Sequence, residues 1–157
     1  MAGNKTKHPK EHLELALFRV GDLLCGIDIT CVREIIKKFE ITTVYDAPKE
    51  VRGVLNLRGQ IVTILDLRKK IGFDPSKVID ENMRIIVVRL ENEDVGLLVD
   101  NMADIVFAEI KDMEPPPSNI EGITGIYFSN ILKMKDDLVC ILNLVEILKN
   151  EVTNTKL

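Results

Sequence analysis

Apolar positions along this chain come in short runs closed by Gly, Asp, Asn or Pro, and few stretches keep the i, i+3, i+4 spacing of a surface helix. Residues 13–20 and 23–29 are apolar-rich and separated by Gly21-Asp22, a turn dipeptide, so they predict a hairpin. Residues 54–57 and 61–65 flank Arg58-Gly59-Gln60 and predict a second one. Asp66 then caps a short helix over 67–71, which Gly72 stops. Residues 83–90 and 95–99 predict a third hairpin around the charged tip Glu91-Asn92-Glu93-Asp94. Residues 30–38 fit two periods. Val32, Ile35 and Ile36 match a helical face, while the β-branched content favours a strand entered through a kink, which is the reading adopted. A strand there sets Val32 and Glu34 on one side and Arg33 and Ile35 on the other.

The remaining pattern is read the same way. Residues 41–45 continue extended to the turn Asp46-Ala47-Pro48, and a polar connection follows Gly72 as far as Asn82. Residues 103–110, 120–128 and 138–142 predict strands, and Met113-Glu114-Pro115-Pro116-Pro117-Ser118 a stiff extended linker. Asn143 caps a last helix ending at Lys149; residues 1–12 and 151–157 read as solvated tails.

The two halves repeat each other. Cys25-Gly26-Ile27-Asp28-Ile29 aligns with Val95-Gly96-Leu97-Leu98-Val99 at an offset of 70, which places Val32 opposite Met102 and Glu34 opposite Asp104. Val62-Thr63-Ile64-Leu65-Asp66-Leu67 aligns with Val139-Cys140-Ile141-Leu142-Asn143-Leu144 at an offset of 77, so the two helix caps coincide. Each half holds about five short strands and a terminal helix, too little to be comfortable alone but enough to close a small barrel. The expectation is an all-β chain of two barrels, the first over residues 13–80 and the second over 81–150, allowing for strand exchange at the ends. An aliphatic cleft between two such barrels suits a partner helix. The hairpin tips differ: Arg58-Gly59-Gln60 in the first half corresponds to a longer segment, residues 129–137, in the second. That asymmetry suits two different partners.

Composition narrows the classes. With 157 residues and 46% apolar side chains the chain can bury a core, which must be aliphatic because aromatic residues make up 4% and Trp is absent. A net charge of −4 speaks against nucleic acid. No apolar run approaches the ~20 residues that span a bilayer, and the first residues lack the apolar centre of a signal peptide, so a cytoplasmic protein without membrane insertion is expected. Cys25, Cys31 and Cys140 are odd in number and lie in apolar sequence, which suits packed thiols better than disulfides.

Catalytic chemistry finds no constellation. Both histidines, His8 and His12, lie in the first tail, so neither a nucleophile with a base nor a metal set is at hand, and no cofactor is expected. Residues 53–60 space two glycines like a phosphate-binding loop, yet Gln60 stands where Lys is needed and no Ser or Thr follows. Asp22, Asp28 and Asp66 read as turn and cap residues before they read as metal ligands. Arg58 is either an exposed tip residue or a guanidinium paired with a carboxylate, Glu34 or an acid on a partner.

Residues 52–68, Arg-Gly-Val-Leu-Asn-Leu-Arg-Gly-Gln-Ile-Val-Thr-Ile-Leu-Asp-Leu-Arg, together with Cys25-Gly26-Ile27-Asp28-Ile29 and Val95-Gly96-Leu97-Leu98-Val99-Asp100, resemble the bacterial chemotaxis coupling protein CheW family. The resemblance covers residues 13–150, with Thr63 departing from the proline usual there. It implies two five-stranded, SH3-like barrels forming a non-enzymatic adaptor that links chemoreceptor tips to the regulatory domain of the histidine kinase CheA, in the cytoplasm at membrane-associated arrays. The alternative it leaves is a CheW paralogue serving a different chemosensory pathway. By position it implies a receptor-facing set of Val32, Glu34, Gly53, Arg58, Met102 and Ile105, and a kinase-facing set of Glu114, Pro115 and Ile120.

Overall fold

In the computed structural model, which describes residues 12–73, 78–120 and 122–154, each central strand sends alternate side chains into two different cores. The strands in chain order are β1 (His12–Val20), β2 (Leu23–Asp28), β3 (Val32–Ile36), β4 (Val51–Leu57), β5 (Gln60–Asp66), β6 (Arg84–Leu90), β7 (Glu93–Val99), β8 (Asn101–Glu109), β9 (Met113–Glu114), β10 (Asn119–Ile120), β11 (Ile123–Thr124), β12 (Phe128–Lys133) and β13 (Leu138–Leu142). Helix α1 (Leu67–Ile71) follows β5 and helix α2 (Leu144–Asn154) follows β13. They build a five-stranded sheet in the order β3-β6-β7-β5-β4, a six-stranded sheet in the order β8-β1-β2-β13-β12-β9, and a short β10–β11 ladder. The chain is all-β with two SH3-like subdomains, the second sheet gaining the two-residue β9 at its edge.

The boundary near residue 80 does not divide these sheets. Hairpin β1–β2 of the first half lies between β8 and β13 of the second, and hairpin β6–β7 of the second lies between β3 and β5 of the first. The registers obey the repeat: Ile64 faces Gly96 across the parallel β5–β7 pair, and Ile141 faces Gly26 across the parallel β13–β2 pair. Short connections impose the exchange. Asp100 alone separates β7 from β8, fewer residues than a tight hairpin needs, so β8 must leave the sheet of β7. A three-residue 3-10 turn, Ile29–Cys31, does the same between β2 and β3. Asp28 caps that turn by accepting from Thr30 N at 3.0 Å.

Burial follows the pleat. Leu15, Leu17, Leu24, Val139 and Ile141 fill one barrel, and Val62, Ile64, Ile85, Val87 and Leu98 fill the other. The intervening positions, among them Ala16, Phe18, Cys25, Ile86, Leu97 and Leu142, form a third cluster shared by both sheets. Hairpins buried on both faces explain the unbroken apolar runs, which alternation alone does not predict. Gly26 and Gly96 sit inside the barrels; a Cβ at Gly96 lies 2.5 Å from Ile64 Cδ1, and one at Gly26 lies 3.0 Å from Val139 Cγ1.

Several elements differ from expectation. Residues 41–45 contribute an isolated bridge, Thr42 to Val54, rather than a strand. The predicted strand over 120–128 breaks into β10, β11 and a 3-10 turn, Gly125–Tyr127; a Cβ on Gly125 would come within 2.0 Å of Pro117 O, so the chain folds back too tightly there for a straight strand. Met113 and Glu114 at the head of the proline segment pair with Leu132 and Ile131. Residues 128–133 form β12, leaving residues 134–137 as the second tip, shorter than the expected 129–137. Helix α2 continues beyond Lys149 to Asn154. The expectations for His8 and the first tail fall outside the described residues, although His12 begins β1.

Candidate functional site

Arg58 and Gly59 form the two-residue tip between β4 and β5, with Leu57 facing Gln60. Both adopt positive φ, 50° and 85°, the requirement of the tight turn that matches strand twist. Asn56 Oδ1 accepts from Gly59 N at 2.9 Å and holds the tip. The Arg58 guanidinium donates through both terminal nitrogens to the two carboxylate oxygens of Glu34 on β3. Strands β3 and β4 are the two edges of the five-stranded sheet, so this fork joins the ends of the sheet across the barrel opening. The hydrogen bond from Arg58 holds the Glu34 carboxyl below the usual carboxylate range, and Glu34 in turn raises the Arg58 guanidinium. Arg33, Leu57, Gln60, Val87 and Asp94 complete a depression of about 220 Å³ around the pair.

Of the remaining receptor-facing residues, Val32 and Met102 are half-buried and pack against the central cluster from opposite sheets; a bulge between Val32 and Glu34 sets Val32 opposite Val88 and Glu34 opposite Val87, so these two do not share a face as the unbroken strand pattern predicts. Ile105 stands on the outer face of β8, 51% exposed. Gly53 is buried: a Cβ there would lie 2.2 Å from Thr42 O, at a φ of 152°. Its role in the geometry is to let the 37–50 connection lie on β4, where Thr42 and Val54 exchange two 2.8 Å hydrogen bonds. The set thus contains one directly bonded pair, two residues at the seam between barrels, one exposed strand residue and one backbone position.

The kinase-facing residues divide similarly. Glu114 on edge strand β9 is exposed and pairs with Lys133 Nζ at 3.1 Å; Pro115 follows it, exposed. Ile120 is half-buried, packs on the central cluster, and lines a groove of about 420 Å³ with Leu23, Leu24, Ile131 and Leu138. The repeat places a matching groove on the other sheet, about 850 Å³, where Val54, Ile61, Thr63, Glu93 and Asp94 occupy the positions equivalent to Ile131, Leu138, Cys140, Leu23 and Leu24. Tyr45 at 90% exposure and Ile61 at 66% line this second groove. Sequence reasoning missed it. The outward parity of Ile61 in β5, opposite to Val62 and Ile64, was the available signal.

No group of three or more His, Cys, Asp or Glu side chains suited to a metal occurs among the described residues. Burial pushes the Cys25 thiol far up, with Cys140 and Asp100 adding to it, so the nucleophilic thiolate is disfavoured. The Cys31 thiol is also raised, by burial first and Asp28 second. Asp28 and Asp66 serve as helix caps, and Asp66, 2% exposed, also binds Arg52 Nη1 at 3.0 Å. None of the described helices is long and apolar enough to cross a membrane.

Two barrels share one core, and each carries an open groove lined in part by apolar side chains. Residues 14–152 match the CheW-like domain, and the chain belongs to that family. It is 32% identical over 150 residues to the chemotaxis protein CheW of Helicobacter pylori, covering 96% of this chain and 90% of the relative. To the CheW of Rhizobium meliloti it is 31% identical, with 88% of each chain covered. The crystal structure of the scaffolding protein TtCheW from Thermoanaerobacter tengcongensis superposes with a TM-score of 0.81 at 28% identity, covering 87% of this chain and 92% of that one. The protein is a non-enzymatic chemotaxis coupling or scaffold protein.

Proposed function

We propose that this chain couples the cytoplasmic tips of methyl-accepting chemoreceptors to the regulatory domain of the histidine kinase CheA, in the cytoplasm at membrane-associated arrays. Val32 and Met102 carry this reading. They are repeat equivalents 70 positions apart, and each leans on the shared core from its own sheet, so an apolar helix laid along the seam meets both barrels at once. Ile105 extends the apolar contact along β8, and the Arg58–Glu34 fork supplies a rigid charged flank. Gly53 acts beneath this surface by positioning the backbone of β4.

The kinase side takes the groove containing Ile120, with Glu114 and Pro115 at its edge strand. A groove repeated on both barrels matches a partner that is itself barrel-shaped, and most of the binding energy comes from aliphatic burial at about 25 cal/mol per Å². The test is a pull-down of the purified chain with a receptor-tip fragment and, separately, with the kinase regulatory domain. Both are retained by the wild type. Arg58→Glu loses the receptor fragment and keeps the kinase domain; retention of both by that variant removes Arg58 from the receptor site, and capture of neither partner by the wild type overturns the coupling role.

A further inference from the structure

Five phenylalanines supply most of the aromatic content of this chain. Phe18 and Phe128 are buried, and Phe39 and Phe73 are half-buried against the cores. Phe107 is 77% exposed. It lies on β8, whose Val106 and Ala108 point into the barrel, so alternation sets Phe107 on the same outer face as Ile105. Among the described residues strand β8 is an edge, paired with β1 alone.

Glu14 stands opposite Phe107 across the β1–β8 ladder, and the other acids nearby are already engaged. Glu109 already engages His12 at 3.5 Å and Lys111 at 3.6 Å, and Asp104 Oδ1 accepts from Ile105 N at 2.8 Å. Two residues along a strand advance about 6.7 Å, and four residues along a helix advance about 6 Å. A helix lying along β8 therefore sets side chains i and i+4 over Ile105 and Phe107. Strand addition at the β8 edge instead uses backbone groups and leaves the Phe107 ring uninvolved.

We propose that Phe107 is a further receptor-contact and specificity-determining residue, extending the strip begun by Met102 and Ile105 and selecting a receptor helix with an apolar residue one turn beyond the one seated on Ile105. The inference rests on the receptor-coupling reading above. It implies that receptors carrying a polar residue at that turn are discriminated against, because the ring would then desolvate a polar group without a partner.

The full chain, Phe107→Ser, Phe107→Leu and Arg58→Glu are titrated with a receptor-tip helical hairpin from the source organism by calorimetry, with the kinase regulatory domain as a second ligand. Phe107→Ser should weaken receptor binding about tenfold, Phe107→Leu should restore most of it, and kinase binding should not move. Unchanged receptor affinity in Phe107→Ser beside lost affinity in Arg58→Glu overturns the role of Phe107 and leaves the coupling reading standing. Equal weakening toward both ligands, or a change confined to self-association in sedimentation, also overturns it. No receptor binding by the wild type overturns both.

Discussion

Arg68 Nη1 donates a 2.7 Å hydrogen bond to Asp100 Oδ2, and through it helix α1 of one barrel is tied to the β1–β2 turn of the other. Asp100 is 7% exposed, and the same oxygen accepts from Gly21 N at 2.9 Å. The Arg68 guanidinium also lies 5.8 Å from the Phe73 ring centre. The bridge occupies the one-residue junction between β7 and β8, where the chain passes from one sheet to the other. The repeat puts Thr30 at the matching junction, so this ion pair fastens one side of a pseudo-symmetric seam. Removing one member of a buried pair leaves the other unpaired, at a cost of about 3 kcal/mol. Asp100→Asn should lower the melting temperature by about 6–12 °C. A variant melting with the wild type would show that the bridge contributes nothing to the seam.

The exchanged hairpins predict how the chain divides. Neither half alone supplies the five strands of a barrel, since each lacks the hairpin at its sheet centre. Fragments split between residues 73 and 78 should be poorly folded singly and should regain strand structure and cooperative melting when mixed. Independent cooperative melting of either fragment counts against the exchange.

Gly53 gives a prediction about a buried backbone position. Backbone oxygen Thr42 O cannot move aside as a side-chain end can, so Gly53→Ala must displace the 37–50 connection. The expected loss is at least about 2 kcal/mol in urea denaturation. Receptor affinity should fall with it, while kinase affinity through the other barrel should hold; normal stability with lost receptor binding would instead make Gly53 a direct contact.

The Glu34–Arg58 fork predicts a pH response. The carboxyl titrates below an unpaired glutamate, so the charged pair is intact at and above the unfolded-state value and its contribution disappears as the pH falls through the lower folded-state value. The carboxyl carbon of Glu34, followed by NMR, should show a depressed midpoint that Arg58→Ala moves back up. Because the pair is solvent-exposed, the depression should shrink with added salt.

Much was legible in the chain itself. Turn and cap chemistry located the three tight hairpins, the Asp66 and Asn143 caps and the Gly72 stop, because those signals are local and bond to their own neighbours. The repeat offsets relate the two parallel registers to each other, Ile64 with Gly96 and Ile141 with Gly26, although nothing in them said that these strands pair or which half each pair would join. Residues 120–128 misled the strand pattern because the turn at Gly125 is set by its close approach to the Pro117 carbonyl, which apolar periodicity does not register.

What the sequence determined by itself was therefore the three tight hairpins, the helix caps, the repeat offsets and the charged tip at Arg58. The tertiary structure alone decided that the hairpins trade places, that Glu34 is the partner of Arg58 across the barrel opening, and that Gly53 is buried while Phe107 is not. The reason is physical: a hairpin apolar on both faces can complete either of two similar barrels, and only the packing of the whole chain, through connections as short as Asp100, excludes one of them.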